Sequence, residues 1–224
     1  MVYAEVSTVG FSTAHCPLPS AYFPFASPAG KCYWFQGMKV KVGVMGSAGE
    51  ASPEEAGKGL RAKAEALGRA MAARGCVTLT GATTGLPHAA GAAAHAAGGL
   101  HVGISPASDA REHVERFGLP LESTDVLVYT GFGLKGRNVV LVRTCDVVII
   151  FRGGTGTLNE LTIAHDEGRV TGCLTGTGGV ADEAERLLNA LPKKTDAVVI
   201  YDEAPERLLE RCLKALNESR GEEV

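Results

Sequence analysis

The sequence predicts an α/β fold in which a doubly wound, mostly parallel sheet carries helices on both faces. From residue 40 onward, short apolar runs alternate with segments of helical periodicity, which is typical of parallel strands joined by right-handed crossover helices. Glycine-rich turns follow four of the apolar runs, and they begin at Gly46, Gly81, Gly153 and Gly176. Because ligands bind at the carboxyl ends of the strands in such sheets, we expect the four turns to lie along one edge.

Length and composition indicate one soluble domain. The chain has 224 residues, of which 45% are hydrophobic and 21% are charged, and no apolar run approaches the roughly 20 residues of a membrane span. The net charge of −3 and the lack of a basic run exclude a nucleic-acid groove and favour a small-molecule ligand. The six cysteines form no C-x-x-C pair and at least three fall in apolar patterns, which predicts buried, reduced thiols and a cytoplasmic protein.

The segment 1–37 differs from the rest of the chain. It contains one acid, Glu5, one base, Lys31, and no periodic apolar pattern. We predict a poorly ordered N-terminal extension over 1–37 and a nucleotide-binding domain over 38–224; a mis-assigned start codon upstream of Met38 and an aromatic-rich lid are the alternatives for the extension. A secretory signal is excluded, because neither a basic n-region nor a continuous apolar core is present.

The first unit of strand and helix begins with the apolar run at 40–45. After the turn at Gly46, the segment 52–55 reads Ser-Pro-Glu-Glu, which offers an N-cap, a proline at the first helical position and a capping-box glutamate. Gly75 ends this predicted helix. Four apolar residues recur at helical spacing before it and would face the sheet: Leu60, Ala64, Leu67 and Met71.

The remaining units repeat the same order. Further strands are predicted at 76–80, 101–104, 125–129, 147–151, 170–174 and 197–201. A helix rich in small residues, which includes 89–97, is predicted after the turn at Gly81. Further helices are predicted over 108–117 as a charged surface helix, from 131 to about 144, from 158 to about 168, over 181–191 and over 205–217. A small-residue helix can pack close to the sheet, or can permit the close approach of a second subunit.

The strongest functional pattern begins at the strand 147–151. It runs without a polar break into Gly153-Gly154-Thr155-Gly156-Thr157, and helical periodicity follows from Leu158. Glycines allow close approach of the backbone to a ligand, and the unpaired N–H groups of a first helical turn form an anion site, for which phosphate is the expected anion. Glu160, which we place on the first turn, either acts chemically at the edge of this site or is favoured there by the helix dipole.

Two common phosphate motifs are excluded. The start of the dinucleotide fingerprint is present at Gly154-Thr155-Gly156, but Asn159 occupies the third glycine position and the turn follows a late strand. The segment 131–136 has the glycine spacing of a P-loop, but Arg137 and Asn138 replace the required Lys and Ser or Thr. NAD binding and ATP hydrolysis are therefore disfavoured. The histidines show no metal-ligand spacing, so we predict no metal and no cofactor and treat them as core or surface residues.

The segment GGTGTLNE, from Gly153 to Glu160, resembles the PGGxGTxxE signature of the LOG (LONELY GUY) family in the wider SLOG superfamily. Members of that family are nucleoside 5′-monophosphate phosphoribohydrolases that were once mislabelled lysine decarboxylases. Arg137 and Asn138 match the family's Arg-Lys pair, with Arg137 23 residues before Glu160, and Asp146 falls where the family has an aspartate. The resemblance covers roughly residues 40–201.

The resemblance implies that a homodimer hydrolyses an AMP-like nucleoside 5′-monophosphate to free base and ribose 5-phosphate. Glu160 would stabilise the oxocarbenium-like state or activate water, and Arg137 would hold phosphate or ribose hydroxyls, unless it is an ordinary surface residue of a helix. The residues expected to bind phosphate or other parts of the ligand are Gly46, Ser47, Gly81, Thr83, Asn138, Gly153, Gly154, Thr155, Gly156, Thr157 and Gly178.

Three departures from the LOG signature favour a second interpretation. Arg152 stands in place of the proline, Asn138 replaces the lysine, and the segment 164–168 lacks the Trp and Gln that follow the family's catalytic glutamate. With the turns at Gly81 and Gly176, these features resemble a divergent bacterial branch related to the molybdenum cofactor carrier proteins. The alternative function is a non-catalytic binder or carrier of a phosphorylated ligand. Arg152 would then bind an extra anionic group or be solvated at a strand end.

Overall fold

The computed structural model describes residues 34–35, 38–48 and 59–221. The strands within these ranges are Trp34–Phe35 (β1), Met38–Lys39 (β2), Lys41–Gly46 (β3), Val77–Thr80 (β4), Leu100–Ser105 (β5), Val126–Tyr129 (β6), Val147–Phe151 (β7), Val170–Leu174 (β8) and Val199–Asp202 (β9). The α-helices are Leu60–Ala73 (α1), Gly85–Ala96 (α2), Gly133–Thr144 (α3), Thr155–Asp166 (α4), Val180–Ala190 (α5) and Pro205–Arg220 (α6). The predicted N-cap at 52–55 lies outside the described residues.

Seven strands form one parallel sheet in the order β6-β5-β4-β3-β7-β8-β9. The chain winds outward from β3 to β6 on one side, then returns to the centre and winds outward from β7 to β9 on the other. This is the doubly wound arrangement that the sequence predicts, so the predicted fold class is confirmed. Each of the four glycine-rich turns follows the carboxyl end of a parallel strand, and the turns therefore lie along one edge.

Helices cover both faces of the sheet. One core lies between the sheet and α1, α2 and α6, and the other lies between the sheet and α3, α4 and α5. All five residues of β7 have 0% exposure, which explains the unbroken apolar sequence of this central strand. The predicted sheet-facing residues of α1 are buried, and so are the four described cysteines, Cys76, Cys145, Cys173 and Cys212. No helix in the described ranges is long and apolar enough to cross a bilayer.

The predicted bounds of the surface helix over 108–117 are wrong. The structure has a shorter helical segment over 110–116, in which Glu112–Arg116 form a π-helical turn, and a bend at 106–109 precedes it. Ser108 donates from its N–H and its hydroxyl to Glu112 Oε2 at 2.7 and 2.6 Å, and Asp109 Oδ1 accepts from Glu112 N–H at 2.8 Å. Asp109 thus caps the first turn and Glu112 bonds back to Ser108, as in a capping box, so the helix begins at residue 110.

The placement of Glu160 on the first helical turn is also wrong. α4 begins at Thr155, because Leu158 N–H donates to the Gly154 carbonyl oxygen at 2.9 Å and closes the first turn earlier than the apolar periodicity indicates. Glu160 therefore lies on the second turn. The explanation of Glu160 as a residue favoured by the helix dipole loses its basis, since that effect is confined to the first turn.

The amino edge of the sheet is held by a half-buried aspartate. Asp146 accepts hydrogen bonds from Lys41 N–H and from Arg220 Nη2, both at 2.8 Å, and Lys41 Nζ lies 2.8 Å from its carboxylate. Burial alone would raise the pKa of Asp146, but these partners hold it below its ordinary value. Asp146 thus stabilises the edge opposite to the glycine-rich turns.

A short antiparallel ladder precedes the sheet. β1 pairs with β2, with Trp34 beside Lys39 and Phe35 beside Met38. The ladder crosses the predicted boundary between the extension and the domain. Residues 1–33 and 36–37 lie outside the described residues, so the extension over 1–37 and the domain over 38–224 stay predictions.

Candidate ligand-binding site

The carboxyl ends of β3 and β7 form the topological switch point of the sheet. The two strands pair from Val42 beside Val147 to Gly46 beside Phe151, and the chain winds away from them in opposite directions. Open parallel sheets bind their ligands in the crevice at such a point. Ser47 and the turn that begins at Gly153, both predicted from the sequence, follow these two strands.

Ser47 joins three segments at the crevice. Its hydroxyl oxygen accepts a hydrogen bond from Gly153 N–H at 3.2 Å, and its carbonyl oxygen accepts one from Leu86 N–H, at the start of α2, at 3.1 Å. The glycine at 46 has a different explanation, because a Cβ there would lie 2.2 Å from the carbonyl oxygen of Phe151. Gly46 allows close contact between β3 and β7, and Ser47 is the residue that faces the crevice.

The turn after β7 presents backbone N–H groups at the start of α4. Gly153 has φ of +93°, and a Cβ there would lie 2.4 Å from Thr157 Oγ1, so only glycine fits. Around Gly154, the position of a Cβ has no neighbour within 4 Å. The N–H groups of residues 155–157 precede the first intrahelical bond, and together with the helix dipole they form an anion site.

Two cations stand beside this turn. Lys135 Nζ lies 3.2 Å from the position of a Cβ on Gly156. Arg152 has φ of +55°, which is uncommon for a side chain of its size. Its N–H donates to Thr177 Oγ1 at 3.1 Å, its Nη1 donates to the Thr177 carbonyl oxygen at 3.4 Å, and Nη1 lies 3.3 Å from the position of a Cβ on Gly178. The β8 turn thus holds Arg152 next to the anion site.

A cavity of about 1000 Å³ extends from the crevice along α2. Its crevice end is lined by Ser47, Arg152, Gly153 and Gly154. Its apolar wall comes from Leu60, Leu86, Ala89 and Ala92, and its other side chains include Arg61, His88 and Ser123. An open depression of about 700 Å³, lined partly by α5, lies against the same glycine turn and carries two acids, Asp182 and Glu183. The cavity along α2 is better suited to an anionic ligand, because its charged side chains are arginines.

Arg137 and Glu160 form a buried ion pair between α3 and α4. Arg137 Nη1 lies 3.4 Å from Glu160 Oε1, and the two residues are 6% and 7% exposed. The guanidinium covers Gly81, where a Cβ would lie 2.2 Å from Nη2. Burial raises the pKa of Glu160 to about 7, although Arg137 acts to lower it, and burial lowers the pKa of Arg137. The pair thus holds a carboxyl group that changes charge near neutral pH, a property of acid–base catalysts.

Asn138 fixes the orientation of this pair. Arg137 Nη1 donates to Asn138 Oδ1 at 3.1 Å, and Asn138 Nδ2 donates to Asn159 Oδ1 at 2.9 Å. Asn138 is 2% exposed, so the polar atoms of its side chain serve its neighbours in the protein. Arg137 Nε, by contrast, has no hydrogen-bond partner among the described residues. A buried N–H of this kind is costly unless it finds a partner.

The structure separates the predicted residues into two groups. The first group, around the crevice, contains Ser47, Gly153, Gly154, Thr155, Gly156 and Gly178. The second group lies between the β4 turn, α3 and α4 and contains Gly81, Thr83, Arg137, Asn138 and Glu160, with Thr157 buried beneath Gly153. The side chains of Arg137 and Glu160 line neither of the two cavities described above.

Nothing in the sequence indicates that Arg61, His88 and Ser123 line the cavity along α2. No motif includes them, and they come from two helices and the loop before β6. Two nearby patterns indicate other features. The helical spacing of Leu60 indicates burial, and the glycine at the start of α2 indicates a turn, but neither indicates a cavity.

Comparisons with known proteins identify the family to which the chain belongs. It matches the SLOG cluster4 family over residues 39–209. An uncharacterized protein of Archaeoglobus fulgidus is 32% identical over 130 residues, which are 58% of this chain and 76% of that protein. The molybdenum cofactor binding protein of Rippkaea orientalis has a similar structure, with a TM-score of 0.64, 28% identity and coverage of 80% of this chain and 98% of that chain.

The molybdenum cofactor carrier protein of Chlamydomonas reinhardtii is also similar, with a TM-score of 0.61, 26% identity and coverage of 79% of this chain and 99% of that chain. The relation to the SLOG superfamily and to molybdenum cofactor carrier proteins, predicted from the sequence, is therefore confirmed. Because the family match spans most of the chain, from the first core strand to the last helix, this protein belongs to the SLOG cluster4 family.

Proposed function

We propose that this protein binds a phosphorylated small molecule, of nucleotide or molybdenum cofactor type, at the switch point and holds it without cleaving it. The observation that carries this proposal is the continuity between the anion site after β7 and the cavity along α2. Gly153, Gly154 and Arg152 stand at one end of this space and an apolar wall extends along it. A ligand with an anionic end and a flat or apolar body fits such a site.

The similar structures support the same proposal. The proteins of Rippkaea orientalis and Chlamydomonas reinhardtii are named for binding or carrying molybdenum cofactor, and both align with most of this chain. The residues in which this chain departs from the LOG signature also fit a carrier, since Arg152 adds a cation beside the anion site and Asn138 is engaged within the protein.

Thermal shift and native mass spectrometry test this proposal. We expect AMP, GMP or a molybdopterin-type compound to raise the melting temperature and to remain chemically unchanged after incubation. Arg152→Gln should weaken binding by about tenfold, as expected for loss of one charge-assisted contact. Arg207→Gln is the matched control, because Arg207 pairs with Asp202 after β9, away from the crevice. Absence of a shift with every compound, together with no copurifying ligand, would contradict the proposal.

A second candidate function is the phosphoribohydrolase activity that the LOG resemblance implies. The observation that favours it is the buried Glu160, with a pKa near 7, beside Arg137. In this reaction water adds its oxygen to C1′ of the ribose as the C–N bond breaks, and the proton lost by water is transferred to the leaving base. Glu160 would stabilise the positive charge and relay that proton, as carboxylates do in glycoside hydrolysis.

Incubation with nucleoside 5′-monophosphates, followed by chromatography, tests the second function. This second function, unlike the carrier function, predicts free base and ribose 5-phosphate from at least one of AMP, GMP, CMP, UMP and IMP, and no release by Glu160→Gln, which should still bind the nucleotide. Release of no base from any of the five compounds by the unaltered protein would exclude hydrolysis of these substrates and leave the carrier function.

The family resemblance also supports a homodimer, and the buried thiols support a reducing, cytoplasmic compartment. Edge strand β6 and the start of α3 carry exposed apolar side chains, including Val126, Val128, Phe132 and Leu134, that would suit subunit contact. Light scattering of the purified protein should give twice the monomer mass. A monomer at micromolar concentration would contradict this assignment.

A further inference from the structure

The cavity along α2 is long enough for more than a phosphate group. Leu86, near the start of α2, is bonded to Ser47 at the crevice, whereas Ala92 lies six residues further along the same helix. Six residues of helix span roughly 9 Å, which is comparable to the length of a sugar and one heterocyclic ring. The portion of the cavity beyond Leu86 therefore has room for the body of the ligand, and its lining should decide which ring is accepted.

His88 is an aromatic side chain that lines the part of the cavity beyond Leu86. It is half-buried, lines the cavity, and has no hydrogen-bond partner among the described residues. Burial lowers its pKa, so the imidazole is mostly neutral at pH 7 and offers one donor nitrogen, one acceptor nitrogen and a flat face. A half-buried, mostly neutral imidazole that lines a cavity beside Ala89 and Ala92, with Arg61 and Glu122 as its charged neighbours, has the properties of a group that contacts a ligand ring.

Ser123 stands on the same cavity, and the fold holds it there in a strained conformation. Its φ is +58°, in the left-handed region that serine adopts uncommonly. The ring of His101 fixes it: Nδ1 donates to the Ser123 carbonyl oxygen at 2.6 Å, and Nε2 lies 2.9 Å from Thr80 Oγ1. His101 is fully buried against Gly91 of α2, where a Cβ would lie 2.3 Å from its ring.

We infer that His88 and Ser123 form a ring-binding subsite for a flat heterocycle with hydrogen-bonding edges, such as a purine or a pterin, attached to the phosphate that the glycine turn holds. In this subsite His88 stacks on the ring or bonds its edge, the Ser123 hydroxyl bonds the edge, and Ala89 and Ala92 leave space for it. This inference rests on the proposed binding of a phosphorylated ligand and adds the residues that select its ring.

The test compares ligands that contain the ring with ligands that lack it. Isothermal titration is carried out with AMP, GMP, ribose 5-phosphate and inorganic phosphate against the full chain. We expect His88→Ala to weaken AMP or GMP about tenfold, as for loss of one stacking contact, and to leave ribose 5-phosphate within about twofold. His165→Ala is the matched control, because this half-buried histidine lies on α4 and outside the cavity lining.

Ala92→Leu provides a second, steric variant that retains helix propensity. It should weaken the binding of AMP and GMP by occupying the space beside His88, while inorganic phosphate and ribose 5-phosphate still bind. Equal binding of AMP and GMP by the unaltered protein, His88→Ala and Ala92→Leu would overturn the ring subsite while leaving the phosphate site intact. Equal loss of all four ligands in both variants would also overturn it. If the unaltered protein binds none of the four, the proposed function itself fails.

Discussion

Replacing Glu160 with glutamine should stabilise this protein at alkaline pH. The carboxyl group is 7% exposed, and burial raises its pKa from an ordinary value of 4.5 to about 7 despite the neighbouring Arg137. Between these two pH values the folded protein keeps a proton that the unfolded chain has released. The free energy of unfolding therefore falls as the pH rises through this window and is level above it.

The size of the effect follows from the rise in pKa. A rise of about 2.5 at 1.36 kcal/mol per unit gives roughly 3 kcal/mol between pH 4.5 and pH 7. Glu160→Gln has no ionisable group at this position and lacks the decline. At pH 5 Glu160 is mostly neutral in the folded protein, so glutamine resembles it and Arg137 has a similar neighbour in both proteins. We expect near-equal stability at pH 5 and a variant more stable by about 2–3 kcal/mol at pH 8.

Urea denaturation at pH 5, 6, 7 and 8 measures this difference, with free energies taken by linear extrapolation. Glu65→Gln is the control, because Glu65 pairs with Arg61 near the surface and should change stability by less than about 1 kcal/mol. A difference between Glu160→Gln and the native protein that stays constant with pH would refute the reasoning. A variant that is less stable at pH 8 than the native protein would show that the ion pair outweighs the burial of the charge.

Three further predictions concern the backbone and the edges of the fold. Gly153→Ala should lower stability by about 2 kcal/mol or more and abolish ligand-induced thermal shifts, since a Cβ at φ +93° would meet Thr157; unchanged shifts would contradict this. Asp146→Asn should destabilise by about 2–3 kcal/mol at pH 7, measured by urea denaturation, because Lys41 and Arg220 lose a charged acceptor, and the loss should shrink as the pH falls below the ordinary pKa of the aspartate towards its lowered pKa in the folded protein. A protein that starts at Met38 should unfold within about 1 kcal/mol of the full chain in scanning fluorimetry, whereas a large fall in melting temperature would mean that the extension is docked on the domain.

The fold was largely predictable because its signals are local. A strand such as 147–151, buried on both faces, must be apolar throughout, and the turn after it needs glycine at 153 for steric reasons. The start of α4 was missed, because a helix can begin on glycine when Gly154 accepts the first hydrogen bond, and apolar periodicity does not report that bond. The bounds of the segment 108–117 differ for a related reason, since the hydrogen bonds of Glu112 with Ser108 and Asp109 begin the helix at residue 110.

The candidate site was predictable only in part, because its parts meet through space. Arg137 and Glu160 could be paired from the spacing of two motifs, and the structure places them 3.4 Å apart. The partner of Asn138 could not be foreseen, since Asn159 lies on another helix and occupies a variable position of the LOG signature. His88 was interpreted as a core or surface residue, because nothing in the sequence indicates that α2 borders a cavity at this position.

The backbone conformation around the site indicates that the site is already formed before a ligand binds. Among the described residues, three that are not glycine have positive φ: Ala82, Ser123 and Arg152. Each such residue costs of order 1–3 kcal/mol, and each has a main-chain group held by a hydrogen bond: Ala82 N–H donates to Thr80 Oγ1, the Ser123 carbonyl oxygen accepts from His101 Nδ1, and Arg152 N–H donates to Thr177 Oγ1.

Two of these residues line the cavity along α2, and the third lies in the turn after β4, beside Gly81 and the Arg137 guanidinium. Side-chain hydrogen bonds already hold these strained conformations in the free protein, so ligand binding does not have to produce them. Binding then costs the ordering of the ligand but no reordering of the protein, which favours tight binding of a small molecule by a rigid crevice. Thr177→Val and Thr80→Val, which remove two of the holding hydroxyls, should therefore weaken AMP binding although neither side chain lies in the lining of the cavity, and equal affinity in titration calorimetry would show that the turns keep their shape without them.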